Sequence, residues 1–201
     1  LWATYIGSPE EDSAYGVQFD SAGNVYVTGG TTSFSMPMPG TPADATPNGG
    51  ADGYGMKYSP AGALLAGTYV GTNVYDQCYL VQVDVNDDVY VVGQTHGTYP
   101  VTPGKYNNPN SSQFIHKFTN DLSASVWSTV IGNSNTLQDM SPTAFLVSEC
   151  GQIYFTGWAG TTNENVGNIS STCFGNVTTP DAFQGTTTGS DFYLMVLEPD
   201  A

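Results

Sequence analysis

From Tyr15 the chain alternates between apolar and polar residues through "YGVQFD", ending at Asp20. "SAGN" interrupts the run, and "VYVTG" resumes it from Val25 to Gly29. Alternation with a period of two, broken by a turn rich in small and amide residues, predicts a β-hairpin. The pattern returns as "YLVQVD", "VNDD", "VYVVG" from Tyr79 to Gly93, and as "TAFLVS", "ECG", "QIYFTG" from Thr143 to Gly157. Beyond a long loop a third strand is predicted in "YGMKYS" (Tyr54 to Ser59), "FIHKF" (Phe114 to Phe118) and "FYLMVL" (Phe192 to Leu197). A fourth follows a short turn, in "ALLAGTYVG" (Ala63 to Gly71) and "SASVWSTVIG" (Ser123 to Gly132). No useful length shows a helical period. Val, Tyr and Thr fill the strands, as a pleated surface prefers.

These runs are copies of one another. Tyr26, Tyr90 and Tyr154 are 64 residues apart, and Gly29, Gly93 and Gly157 keep the same step. "TYIG" (Thr4 to Gly7) returns as "TYVG" (Thr68 to Gly71) and "TVIG" (Thr129 to Gly132). Pro39-Gly40 matches Pro103-Gly104, and the third copy reaches Pro180-Asp181 after an insertion that includes Cys173. A fixed internal period signals a repeat architecture. Four antiparallel strands per unit is the blade of a β-propeller. "VYVVG" and "FYLMVL" are apolar on both faces, which suits a sheet held between two others better than a two-sheet sandwich. The expected fold is therefore all-β: three four-stranded antiparallel blades of about 64 residues, at about 8–71, 72–132 and 133–201. Residues 1–7 read as a fourth strand, belonging to a preceding blade or closing the last one. Closed propellers have about four to eight blades. Three therefore imply a segment of a larger propeller, or copies that associate to close a ring.

Charge narrows the partners. The chain has 201 residues and a net charge of -15, with Lys57, Lys105 and Lys117 as its three basic residues besides two histidines, and no arginine. Phosphate and nucleic acid call for forked donors and a positive field, so neither nucleic acid nor an anionic membrane is an expected partner. No run approaches the ~20 apolar residues of a membrane helix, so no direct membrane insertion is expected. The chain opens on "LWATYIG" without Met, as a processed or excerpted polypeptide would.

With the strands laid out, the units resemble the bacterial beta-propeller repeat called SBBP. The carriers are "LWATYIG", "SAYGVQFDSAGNVYVTG", "GADGYGMKYSPAG" and "TTPDAFQGTTTGSDFYLMVLEPDA". The resemblance covers nearly the whole chain. It implies a propeller from a large secreted or cell-surface protein of bacteria, often Bacteroidota, many of which have no assigned chemistry. The third copy departs from it, with "ECGQ" in place of "SAGN" and the insertion.

Catalytic patterns are missing. There is no G-x-S-x-G elbow and no H-E-x-x-H motif. His96 falls at a loop entrance, and His116 sits in a strand where the first copy has Met56, so it reads as packed. Glu10, Glu11 and Asp12 form one acidic cluster and Asp84, Asp87 and Asp88 another, both at turns, where Asp bonds its own backbone. Asp84, Asn86 and Asp88 are weak candidates for a calcium site, since calcium takes oxygen ligands but the EF-hand spacing is absent. Cys150, in a turn, and Cys173, in the insertion, are a possible disulfide. No catalytic residue, resident metal or cofactor is expected.

The long loops from Gly30 to Ala51, Gln94 to Ser111 and Trp158 to Gly189 share one rim of a propeller. Loops on a rigid scaffold carry most binding, and Phe34, Met36, Tyr99 and Trp158 are the candidate contact residues. The expected function is a non-enzymatic, extracellular or cell-surface module that binds a protein or a cell-surface component through these loops. A glycan-binding module, or part of a larger enzyme with its catalytic residues elsewhere, is the alternative.

Overall fold

The computed structural model describes residues 1–135, 138–159 and 175–199. Blade 1 comprises β1 (Asp12–Phe19), β2 (Val25–Thr31), β3 (Asp52–Tyr58) and β4 (Leu64–Val70). Blade 2 comprises β5 (Asp76–Val83), β6 (Val89–Thr95), β7 (Gln113–Phe118) and β8 (Ser125–Ile131). Blade 3 has three strands, β9 (Ser141–Val147), β10 (Ile153–Trp158) and β11 (Phe192–Leu197). Each is an antiparallel meander with strands adjacent in chain order. The register is the same in all three: Tyr26 faces Lys57, Tyr90 faces Lys117 and Tyr154 faces Val196. That register places His116 where blade 1 has Met56 and blade 3 has Met195.

The repeated markers have physical causes. The first hairpin turn needs a left-handed residue, supplied by Gly23 (φ 79°), Asp87 (φ 64°) and Gly151 (φ 82°) at one equivalent position. The markers Gly29, Gly93 and Gly157 sit opposite a bulge in the first strand, which leaves Tyr15, Tyr79 and Thr143 without partners. The bulge brings the facing chain so close that a β-carbon on Gly29 would lie 1.8 Å from Ser13 O.

Blade 2 is apolar on both faces because it is covered on both. On one side Val81, Val91, Phe114 and Phe118 pack with Tyr26 and Val70 of blade 1. On the other, Tyr90, Val92, Ile115 and Trp127 pack with Phe145, Phe155 and Met195 of blade 3. Full burial of such side chains is worth about 1.5–3 kcal/mol each relative to exposure, so these junctions carry much of the fold.

One expected strand is absent. Residues 1–7 join no sheet. Instead the Trp2 indole N–H donates to Pro60 O at 3.0 Å and its ring packs on Tyr58, while Tyr5 is fully exposed. A strand exists only where an edge takes up its backbone groups, and β3, on whose end this segment packs, already has both edges paired, with β2 and β4. Among the described residues β11 has no fourth strand on its outer edge.

Candidate functional site

The first two rim loops do not stand clear of the blades. Gly67 N–H donates to Pro39 O at 3.2 Å and Tyr69 N–H to Asp44 O at 3.0 Å, so the first loop runs along the outer edge of β4. The second follows β8 in the same way: Thr102 N–H donates to Ser128 O at 2.9 Å and Asn108 N–H to Val130 O at 3.0 Å. Each loop thereby caps a strand edge that would otherwise offer unpaired backbone. This corrects two of the expected contact residues. Met36 is buried against Tyr54 and Tyr69, with its backbone N–H donating to the Tyr69 hydroxyl at 3.1 Å. Tyr99 is buried, stacked 4.1 Å from Phe114. Both are core residues supplied by loops, because a loop that covers a strand must bring apolar side chains inward. Phe34 is 73% exposed. Trp158 is half-buried and lies within β10, paired with Phe192 and Ser141, rather than in the loop.

The weak metal candidates have a different occupation. Lys117 Nζ lies 2.9 Å from both Asp84 Oδ2 and Asp88 Oδ2 and 4.8 Å from the Tyr90 ring centre. Asp84 Oδ1 accepts the backbone N–H groups of Asn86 at 2.9 Å and Asp88 at 3.0 Å. The cluster is a turn closed on an ammonium, so a calcium ion there would have to displace Lys117. Burial works against both charges. Hydrogen bonds from Lys117 and the turn nevertheless hold the Asp84 carboxyl below its ordinary range, and those of Tyr90, Asp88 and Asp84 carry Lys117 above its own. Blade 1 repeats the arrangement with Asp20, Asn24, Tyr26 and Lys57, the ion pair measuring 3.2 Å. Asn120 then links the blades: its carbonyl accepts from Lys57 Nζ at 3.2 Å and Tyr26 OH at 2.8 Å, and its amide donates to Asp87 O at 3.0 Å. In blade 3 Ser148 and Val196 take the places of the acid and the lysine. The role of Lys57 and Lys117 could have been found in the sequence, since two of only three lysines hold one repeat position and vanish together with their acid.

The other reactive side chains are scattered. His116 Nδ1 lies 2.7 Å from Tyr99 OH and Nε2 lies 2.7 Å from Ser125 Oγ, while burial holds its pKa below the ordinary range. The His96 ring lies 4.9 Å from that of Tyr75, tilted by 41°. Cys78 is buried, and burial raises its thiol pKa. Cys150 is an exposed free thiol, and its expected disulfide partner Cys173 lies outside the described residues. Among the described residues no three His, Cys, Asp or Glu side chains gather as metal ligands.

Two surfaces remain open. On blade 1, Val17 and Phe19 are exposed, although Val81, the blade 2 counterpart of Val17, is buried in the first junction; the Tyr15 ring instead lies 5.1 Å from that of Tyr79 of blade 2. On blade 3, Leu146, Leu194 and Val196 are exposed, although Ile115, the blade 2 counterpart of Leu194, is buried in the second. A cleft of about 1070 Å³ lies between β11 and the segment 175–187, lined by Tyr106, Val177, Phe183 and Phe192 among others. It corresponds to the slot that β4 and β8 fill between third strand and loop. A smaller cleft of about 380 Å³ between blades 2 and 3 is lined by Asp84, Lys105, Lys117, Trp127, Glu149 and Cys150.

No curated protein matches the chain. Residues 1–34, the opening segment with β1 and β2, match the family model SBBP, a beta-propeller repeat, so the blades described above are those of a propeller-type module.

Proposed function

We propose that the chain is a non-catalytic interaction module, extracellular or at a cell surface, that acts as a scaffold for protein contacts. The observation that carries this reading is the pair of open apolar faces at the two ends of the blade stack. Contiguous exposed apolar surface marks sites of protein contact. At both internal junctions the equivalent side chains are buried against another blade, so the first partners are further blades, from the same polypeptide or from other copies. The rim then presents Phe34 and a Thr-, Ser- and Asn-rich surface to a protein or cell-surface component. The non-catalytic part is supported by how the ionisable groups are used: Asp20, Asp84, Lys57 and Lys117 close turns, and His116 lies under Tyr99.

Sedimentation velocity tests it. The chain is expected to associate with rising concentration, and Val17→Glu combined with Val196→Glu to abolish that association without changing the circular dichroism spectrum. Equal behaviour of both proteins refutes the role of these faces. Binding on a glycan array that Trp158→Ala removes replaces the scaffold with the glycan-binding alternative.

A further inference from the structure

At the junction of blades 1 and 2 two carboxylates stand side by side with no ammonium between them. A parallel bridge joins Ala51 to Tyr75, and Asp76 N–H donates to Ala51 O at 2.8 Å. This sets Asp52, the first residue of β3, beside Asp76, the first residue of β5. They are 2% and 0% exposed. One oxygen of each is served: Asp52 Oδ2 accepts the N–H groups of Asn48 at 3.0 Å and Gly49 at 3.4 Å, and Asp76 Oδ2 accepts the Thr72 N–H at 2.6 Å and hydroxyl at 2.7 Å. Oδ1 of each is buried and makes no hydrogen bond of good geometry; the Thr95 hydroxyl, the counterpart of Thr31, is a donor beside Asp76 and favours its charged form. Both carboxylates flank the bare side of Gly71, where a β-carbon would lie 2.8 Å from Asp52 Oδ1 and 3.0 Å from Asp76 Oδ2.

Aspartates at equivalent places show what a satisfied site looks like. Asp12 receives the Ser8 N–H at 2.6 Å and hydroxyl at 2.8 Å on one oxygen, and the Thr31 hydroxyl at 2.5 Å on the other. Asp139 receives the Asn133 N–H at 2.7 Å on Oδ2 and faces the Ser112 hydroxyl at 3.5 Å on Oδ1. Ser112 is the blade 2 counterpart of Asp52. Where blade 2 offers its neighbour a hydroxyl donor, blade 1 offers a second acid. Buried charges are paired or bind a metal. Lys57 and Lys117 are held by Asp20 and Asp84, and Lys105 lies over the Trp127 ring.

We propose that Asp52 and Asp76 bind a divalent cation of the calcium class through their Oδ1 atoms and so clamp blade 1 to blade 2. The ligands are hard oxygens, which suit calcium and magnesium rather than zinc or copper, and backbone carbonyls or water fill the remaining positions. Calcium is favoured over magnesium because it tolerates irregular geometry.

The test is calorimetric titration of calcium chloride into the full chain, with thermal unfolding in calcium and in EDTA. The expected result is one site with Kd on the order of 10⁻⁴–10⁻³ M, as for extracellular calcium modules. The melting midpoint should rise with calcium, and less with magnesium. Asp52→Ser, which installs the blade 2 solution, should fold and lose both the heat and the shift, and Asp139→Asn should keep both. Equal midpoints in calcium and EDTA, with wild-type stability falling as pH rises and Asp52→Ser free of that fall, mean that the pair shares a proton and overturn the proposal. Binding heat that survives in Asp52→Ser assigns calcium to surface carboxylates and overturns it as well.

Discussion

Lys117 is the sharpest place to perturb this fold. Its side chain is 12% exposed, and its ammonium bridges the side chains of Asp84, 6% exposed, and Asp88, 27% exposed. Lys117→Val removes the cation and leaves the Asp84 carboxylate buried beside it. Breaking a buried pair from one side costs about 3–5 kcal/mol. Asp84→Ser leaves Lys117 with Asp88 as an acceptor, so its cost is smaller, about 2 kcal/mol, at the low end for truncating one partner of a buried pair. The double variant reproduces the Ser148–Val196 pair that blade 3 already carries. Replacing a whole buried ion pair by neutral groups is often near neutral. The double variant should therefore lie below the sum of the singles, about 5–7 kcal/mol, by about 3 kcal/mol or more, at or beyond the upper end for coupled neighbours. Urea unfolding followed by tryptophan fluorescence reads the difference, since Trp127 packs edge-on to Tyr90 at 5.9 Å. For a chain of this size each kcal/mol moves the melting midpoint by about 2–4 °C. A Lys117→Val variant that loses less than about 1 kcal/mol, the ceiling for an exposed pair, refutes the reasoning, as does strict additivity of the two singles.

Two further predictions rest on close contacts and burial. Gly93→Ala sets a β-carbon 2.2 Å from Phe114 Cζ and 2.4 Å from Gln77 O, so it should destabilise by about 1–3 kcal/mol or more, whereas Gly50→Ala, with nothing within 4 Å, should be neutral in the same urea assay. Burial pushes the Asp139 carboxyl up to about 6 against hydrogen bonds from Asn133 and its neighbours. The folded state then holds a proton the unfolded chain has released, and stability falls as pH rises between about 4 and 6, by up to about 3 kcal/mol. Asp139→Asn should remove that part of the slope, and an unchanged slope sinks the assignment.

The hairpins were legible because alternation and turn chemistry are local: "VYVTG" after "SAGN" needs no knowledge of the neighbouring blade. Gly29, Gly93 and Gly157 were visible as markers, although their cause, a bulge facing each of them, was not. Residues 1–7 read as a strand because their pattern is that of β4 and β8. A strand pattern states only what a segment pairs as when a free edge is beside it, and β3, on which residues 1–7 pack, has both edges taken by β2 and β4. Met36 and Tyr99 failed for a different reason. An apolar residue in a long loop has the same letter whether the loop stands free or folds along an edge strand, and the backbone bonds that decide between these leave no mark on side-chain pattern.

The same limit hides the acid pair. Asp12, Asp76 and Asp139 look alike in sequence, each shortly after the glycine that ends a fourth strand or its copy. What distinguishes Asp76 is the residue that another blade places against it, and that contact arises from the single bridge between Ala51 and Tyr75. One repeat position, aspartate in blade 1 and serine in blade 2, therefore exchanges a hydroxyl donor for a second acid at a junction that no lysine reaches among the described residues. In a stack built from copies, side-chain differences at the junctions carry more chemical information than the shared pattern of the blades, because the junctions are where two copies meet in unlike company.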